Sequence, residues 1–90
     1  MLFMVVERFK NRDAVSIYQR LRDRGRTLPD GLVYIDSWVE ANFDRCFQLM
    51  ECDDPRLLQQ WVAEWGDLLE FEFVPVVPSG QTRKMIAPLL

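Results

Sequence analysis

Apolar residues along this chain alternate between the two-residue repeat of a strand and the longer repeat of a helix, and each change of repeat falls at a turn signal. This alternation constrains the fold more than any single motif does. It predicts strands over residues 2–9, 32–40, 43–52 and 69–77, and helices over residues 11–24 and 55–65. The elements therefore follow the order βαββαβ.

Turn and capping residues mark the ends of these elements. Asn11 is expected to cap the first helix, while Gly25 and Gly66 are expected to end the first and second helices. Pro75 has no backbone N–H to donate, so the last strand is expected at an edge of the sheet. The order βαββαβ predicts a ferredoxin-like α+β sandwich, with a four-stranded antiparallel sheet of order 4-1-3-2 and both helices on one face.

The length of the chain limits the number of domains. Its 90 residues accommodate one domain, expected over residues 1–78, and a tail over residues 79–90 with apolar residues that are candidates for docking on a partner subunit. Apolar residues make up 49% of the chain, which is enough for a core, but so short a chain buries a modest share of its surface. We therefore expect a homodimer.

Charge and residue types argue against several functions. The net charge of −3 disfavours nucleic-acid binding, and the basic run from Arg20 to Arg26 is explained as the solvated end of a helix. The chain has no His, and its two Cys lack the close pairing of a zinc site, so neither a metal nor a cofactor is expected. The apolar start is too short for a signal peptide or a membrane span, so we expect no membrane partner and a cytoplasmic location.

The hairpin of the second and third strands predicts a candidate binding surface. If the chain turns through residues 41 and 42, Trp38 pairs with Arg45. One face of the hairpin is then small and apolar, as expected beneath the helices, and the other face is open and amphipathic. A two- or four-residue turn gives this facing, whereas a three-residue turn inverts one strand. The candidate ligand-binding residues on the open face are Tyr34, Asp36, Trp38, Arg45, Phe47 and Glu51.

An exposed aromatic face of this kind is typical of a subunit interface or of a small-molecule site. Arg45 is expected either to bind a carboxylate of a ligand or to form an ion pair with Asp36 or Glu51. Asp36 is a candidate general base if burial raises its pKa, and the alternative is a solvated carboxylate. Trp61 and Trp65 lie four residues apart and are expected in the core. No residue is assigned as catalytic.

Segments along nearly the whole chain resemble a small bacterial family of unknown function. They are residues 1–10, the turn from Leu28 to Leu32, the run from Asp36 to Pro55, the segment from Trp61 to Leu68 and the segment from Phe73 to Pro78. The resemblance implies membership of the dimeric α/β-barrel superfamily, which includes small monooxygenases, mutarotases, muconolactone isomerases and stress-responsive barrel proteins. It carries no catalytic residue over, because the immediate family has no known reaction.

Two functions remain open at this point. In the first, two open faces enclose a cavity for a small aromatic or carboxylate-bearing metabolite, where Arg45 orients the ligand and Asp36 or Glu51 transfers protons. The resemblance adds a cofactor-independent isomerase- or monooxygenase-like activity to this hypothesis. In the second, the protein is a non-catalytic dimerisation or regulatory module whose aromatic face is filled by its partner. The sequence does not decide whether the protein is an enzyme.

Overall fold

The computed structural model describes all residues from Met1 to Leu90. Its strands are β1 (Leu2–Phe9), β2 (Val33–Val39), β3 (Arg45–Glu51) and β4 (Leu69–Val76). Its helices are α1 (Ala14–Arg24), α2 (Arg56–Trp65) and α3 (Ser79–Ile86), with short 3-10 turns at Lys10–Arg12 and Ala87–Leu89. The strands form one antiparallel sheet of order β2-β3-β1-β4, which confirms the predicted α+β ferredoxin-like class and places Pro75 in an edge strand, as predicted.

The ends of α1 depend on local side-chain and backbone geometry. Asp13, and not the expected Asn11, caps the helix, because its carboxylate accepts hydrogen bonds from the backbone N–H and the hydroxyl of Ser16, at 3.1 and 2.6 Å. Asn11 lies in the preceding 3-10 turn with a φ of 56°. Gly25 ends the helix as predicted, with a φ of 68°, a positive value that favours glycine.

The core lies between one face of the sheet and helices α1 and α2. Every second residue of β1 is buried on this face, and the residues of β3 that face the helices continue the same layer. The helices contribute Ile17, Leu58, Trp61 and Trp65. The predicted core positions of both tryptophans are thus confirmed. Only two buried side chains are polar, Glu7 and Gln48.

Residues after α1 connect this helix to α2. The backbone carbonyl of Arg26 accepts hydrogen bonds from the indole N–H groups of both Trp61 and Trp65, at 3.0 and 3.1 Å. Arg20 binds Asp67 through two hydrogen bonds of 2.8 and 2.6 Å. The basic run is therefore only partly a solvated helix end, because two of its arginines hold the helices in place.

The tail predicted over residues 79–90 contains α3 and a 3-10 turn, and none of its residues is buried. The radius of gyration is 15.1 Å, whereas a compact chain of this length has a value of about 12 Å. The longest dimension of the molecule is 49 Å. The tail thus extends away from the sandwich. None of the helices is long and apolar enough to cross a membrane.

We expect Gly31→Ala to lower the free energy of unfolding by about 1 to 2 kcal/mol, measured by urea denaturation. Gly31 has a φ of 94°, and an added Cβ would lie 3.1 Å from Leu57 Cδ1. The matched control is Gly80→Ala in α3, where an added Cβ has only the side chain of Arg83 nearby, at 3.7 Å. Equal stability of the two variants would contradict the requirement for glycine at position 31.

Candidate functional site

The open face of the sheet, the side away from α1 and α2, consists of four rows of paired residues. The row at one end is charged and contains Glu40, Arg45, Arg8 and Glu70. The next row contains Trp38, Phe47, Val6 and Glu72, and the third contains Asp36, Leu49, Met4 and Val74. The last row contains Val33, Glu51, Leu2 and Val76. The middle of the face is apolar, and its charges lie at the two ends and along the edges.

The hairpin turn is longer than the expected two residues. The backbone N–H of Glu40 donates to the carbonyl of Arg45 at 2.8 Å, so four residues form the turn. Trp38 consequently pairs with Phe47 and not with Arg45. Because a four-residue turn keeps the same facing, five of the six predicted residues lie on the open face. They are Asp36, Trp38, Arg45, Phe47 and Glu51.

Tyr34 is the exception, because the prediction that it lies on the open face is wrong. The register of β2 shifts between Tyr34 and Asp36, which leaves Ile35 without a partner and turns Tyr34 toward the helices. There Tyr34 pairs with the fully buried Met50. The guanidinium carbon of Arg26 lies 3.7 Å from the centre of its ring.

Arg45 forms an ion pair, but with neither of the expected partners. Its guanidinium binds the carboxylate of Glu40 through two hydrogen bonds of 2.7 and 3.0 Å and lies 5.2 Å from the centre of the Phe47 ring. Hydrogen bonding to Arg45 holds the pKa of Glu40 below its usual value. Asp36 and Glu51 are exposed, so the single chain lacks the burial that a general base at Asp36 requires.

A second candidate site, which the sequence analysis missed, lies on the opposite side of the sheet. Helices α1 and α2 and the sheet enclose a cavity of about 120 Å³ with a mostly apolar lining. The aromatic residues of this lining include Phe9, Trp61 and Trp65. Its polar residues are Glu7, Arg26, Ser37 and Gln48, and Tyr18 and Cys46 add a hydroxyl and a thiol group. This cavity is more enclosed and more apolar than the depressions on the open face.

Glu7 and Gln48 form a buried polar pair in this cavity. They are 3% and 8% exposed, and the amide nitrogen of Gln48 donates a hydrogen bond to Glu7 Oε1. The amide oxygen of Gln48 is buried without a partner. Burial raises the pKa of Glu7 to about 7, although the hydrogen bond from Gln48 and the charge of Arg26 oppose the shift. The carboxyl group therefore gains or loses its proton near neutral pH.

Two further groups of the cavity remain protonated. Burial raises the pKa of the Cys46 thiol to about 12, and the nearby charge of Glu7 makes a smaller contribution in the same direction. Burial also raises the pKa of Tyr18 above its ordinary value of 10.0, and the charges of Cys46 and Glu7 act in the same direction. A thiol of this kind is a poor nucleophile at neutral pH. Cys46 is therefore not a catalytic candidate.

One sequence signal pointed to this second site. Glu7 occupies a position of β1 in phase with Phe3, Val5 and Phe9, so the alternation of the strand places a carboxyl group among core residues. Gln48 likewise alternates in phase with buried residues of β3. Buried polar groups that break an apolar pattern are frequent at functional sites.

We expect Glu7→Gln to remove most of a pH dependence of stability between about pH 4.5 and 7. Folding raises the pKa of Glu7 from 4.5 to about 7, so the native state binds the proton more tightly and the free energy of unfolding falls as pH rises through this interval. The total fall is roughly 3 kcal/mol. Urea denaturation at several pH values measures it.

Arg26, Tyr18 and Cys46 face Glu7, and the raised pKa values of Tyr18 and Cys46 keep these two groups protonated over this interval. The control variant is Glu51→Gln, which replaces an exposed glutamate of the open face and should retain the wild-type profile. A Glu7→Gln profile as steep as that of the wild type would show that another group is responsible.

Comparison with known protein families identifies the family to which the chain belongs. The sequence profile of a family described as a domain of unknown function, DUF3303, matches residues 1–90. Comparisons with curated proteins and with solved structures find no match. The family match confirms the resemblance to an uncharacterised family and identifies neither a reaction nor a ligand. Since the match covers the whole chain, this protein belongs to the DUF3303 family, whose function is unknown.

Proposed function

We propose that this protein is a dimerisation module in which the open face of the sheet binds the same face of a second copy. The observation that carries the proposal is the exposure of large apolar side chains on this face. Trp38 and Val33 are 52% and 54% exposed, although they lie in a sheet that is well packed on its other side. A contiguous apolar patch of this kind usually marks an interaction surface.

The distribution of charge on the open face supports a second copy as the occupant. In a two-fold symmetric dimer a surface contacts itself, so a complementary surface carries both signs of charge around an apolar centre. The charged end row has this composition, with Arg8 and Arg45 between Glu40 and Glu70. The resemblance to dimeric α/β barrels supports the same arrangement.

The tail adds a second surface to the proposed dimer. Met85, Ile86, Leu89 and Leu90 are exposed on a segment that extends away from its own domain. Burial of these side chains against the partner subunit would remove apolar surface from water, which the single chain does not achieve. A cytoplasmic location is part of the proposal, and the two free, buried cysteines suit a reducing compartment.

We expect the wild-type protein to be dimeric and Trp38→Glu to be monomeric. A glutamate at this position of the interface would be buried without a partner, at a cost of several kcal/mol. Sedimentation equilibrium at micromolar concentration measures the mass directly. Val15→Glu is the matched control, because Val15 is 68% exposed on α1, away from the sheet.

The Val15→Glu variant should remain dimeric, and both variants should keep the circular dichroism spectrum of the wild type. A monomeric wild-type protein, or a folded Trp38→Glu variant that remains dimeric, would contradict dimerisation through the open face.

A second candidate function is the binding of a small aromatic or carboxylate-bearing metabolite on the open face. The observation in its favour is that Arg8 and Arg45 pair across β1 and β3 beside a shallow depression that Val6 and Phe71 also line. Two guanidinium groups beside these apolar side chains suit an aromatic carboxylate, whereas two glutamates of β4 that also line the depression oppose one. The first candidate is better supported, because Glu40 already occupies the guanidinium of Arg45.

For this second candidate we expect benzoate to raise the thermal stability of the wild type and Arg45→Leu to abolish the effect. Loss of charge-assisted hydrogen bonds weakens binding by about tenfold or more. Arg56→Leu is the matched control, since Arg56 also pairs with a neighbouring carboxylate but is exposed and lies outside the open face. An unchanged benzoate effect in Arg45→Leu would exclude the role assigned to Arg45.

A further inference from the structure

Two residues that line the cavity between the sheet and the helices carry buried hydrogen-bond acceptors. The amide oxygen of Gln48 is unpartnered and buried, and Glu7 uses one carboxylate oxygen for the amide nitrogen of the same glutamine. Leaving a buried acceptor unsatisfied costs about 1 to 3 kcal/mol. If position 48 served only to pack the core, an apolar residue would be expected there, as is found at the neighbouring buried position, Met50.

The size and lining of the cavity restrict its occupant. A cavity of about 150 Å³ with an apolar lining accommodates a benzene ring, and the cavity here has about 120 Å³. The indole rings of Trp61 and Trp65 line it. The occupant is therefore limited to one small ring that packs against aromatic and aliphatic side chains.

The cavity has an opening between α1 and the edge strand β2. Tyr18 and Leu21 of α1 and Ser37 and Val39 of β2 line this side, and Tyr18 and Val39 are 42% and 39% exposed. Helix α1 does not fully cover β2, since no residue of this strand is buried. This side of the cavity therefore lies at the protein surface.

The charges around Glu7 restrict the chemistry of the occupant further. Arg26 also lines the cavity and opposes a ligand with a permanent positive charge. Glu7 gains or loses its proton near neutral pH, so it is able to donate a proton to a ring nitrogen or to accept one from it. The oxygen of Gln48 only accepts hydrogen bonds, and it requires an N–H or O–H group of the ligand.

We propose that this cavity is a binding site for a small aminated nitrogen heterocycle, a planar ring with an amino group next to a ring nitrogen. The ring nitrogen shares a proton with the carboxyl group of Glu7, and the amino group donates to the amide oxygen of Gln48. The ring packs against Trp61, Trp65 and Phe9, the aromatic residues named above in the lining. The site lies on the opposite side of the sheet from the proposed dimer interface and does not depend on it.

Titration of the full chain with 2-aminopyridine, followed by ¹H–¹⁵N NMR, tests the proposal. We expect saturable shifts of the Gln48 side-chain amide and of the indole N–H groups of Trp61 and Trp65, with a dissociation constant below about 1 mM. The indole N–H of Trp38, on the open face, should not shift. Toluene has the same shape without hydrogen-bonding groups, and it should bind at least about tenfold more weakly.

Substitutions at the acceptors complete the test. Gln48→Met keeps the side-chain volume and removes the acceptor, so it should weaken 2-aminopyridine binding by about tenfold or more and leave toluene binding unchanged. Gln59→Met, at an exposed position of α2, is the matched control and should bind as the wild type does. If Gln48→Met does not fold, Glu7→Gln is the variant to test, and we expect it to weaken 2-aminopyridine binding by the same factor of about ten or more.

Three results would overturn the proposal. The first is the absence of saturable shifts at 2-aminopyridine concentrations well above 1 mM, which would mean that the cavity holds only water. The second is equal affinity for toluene and 2-aminopyridine. The third is undiminished 2-aminopyridine binding in the folded Gln48→Met or Glu7→Gln variant. Each is independent of whether the protein is a dimer.

Discussion

Burial of one face of the sheet beneath α1 and α2 is the constraint on which the rest of this structure depends. Strand β1 lies between β3 and β4, and its alternate residues supply the centre of the core. The carbonyl of Arg26 joins the chain after α1 to both tryptophans of α2, so neither helix packs independently of the other. Two helices are too few to cover both sides of a four-stranded sheet, and the open face is the direct consequence.

The two sides of the sheet therefore differ in how far their charged groups are removed from water. On the helix side the polar groups Glu7 and Gln48 are buried, and burial shifts the pKa of the carboxyl group. On the open side Arg45 and Glu40 are paired and partly solvated, and such a pair stabilises a single chain little. Strand β3 connects the two sides, since its residues alternate between the cavity and the open face.

Local rules predicted the elements and their order well. The bounds of β1 agree with the structure at both ends, and the glycines that follow α1 and α2 end both helices, because periodicity and backbone preferences act over a few neighbouring residues. The start of α1 is the exception, because Asp13 caps this helix in place of Asn11. Both residue types are good caps, and Asn11 lies in the 3-10 turn that precedes α1.

The sequence by itself determined the α+β class, the position of β4 at the sheet edge and the facing of five of the six candidate residues, because alternation along a strand is a local property. Tertiary structure decided the pairing. A four-residue turn and the bulge at Ile35 depend on cross-strand hydrogen bonds, so Tyr34 changed sides and Glu40 became the partner of Arg45. The cavity at Glu7 also required the tertiary structure, because its lining comes from separate segments that only the packed helices bring together.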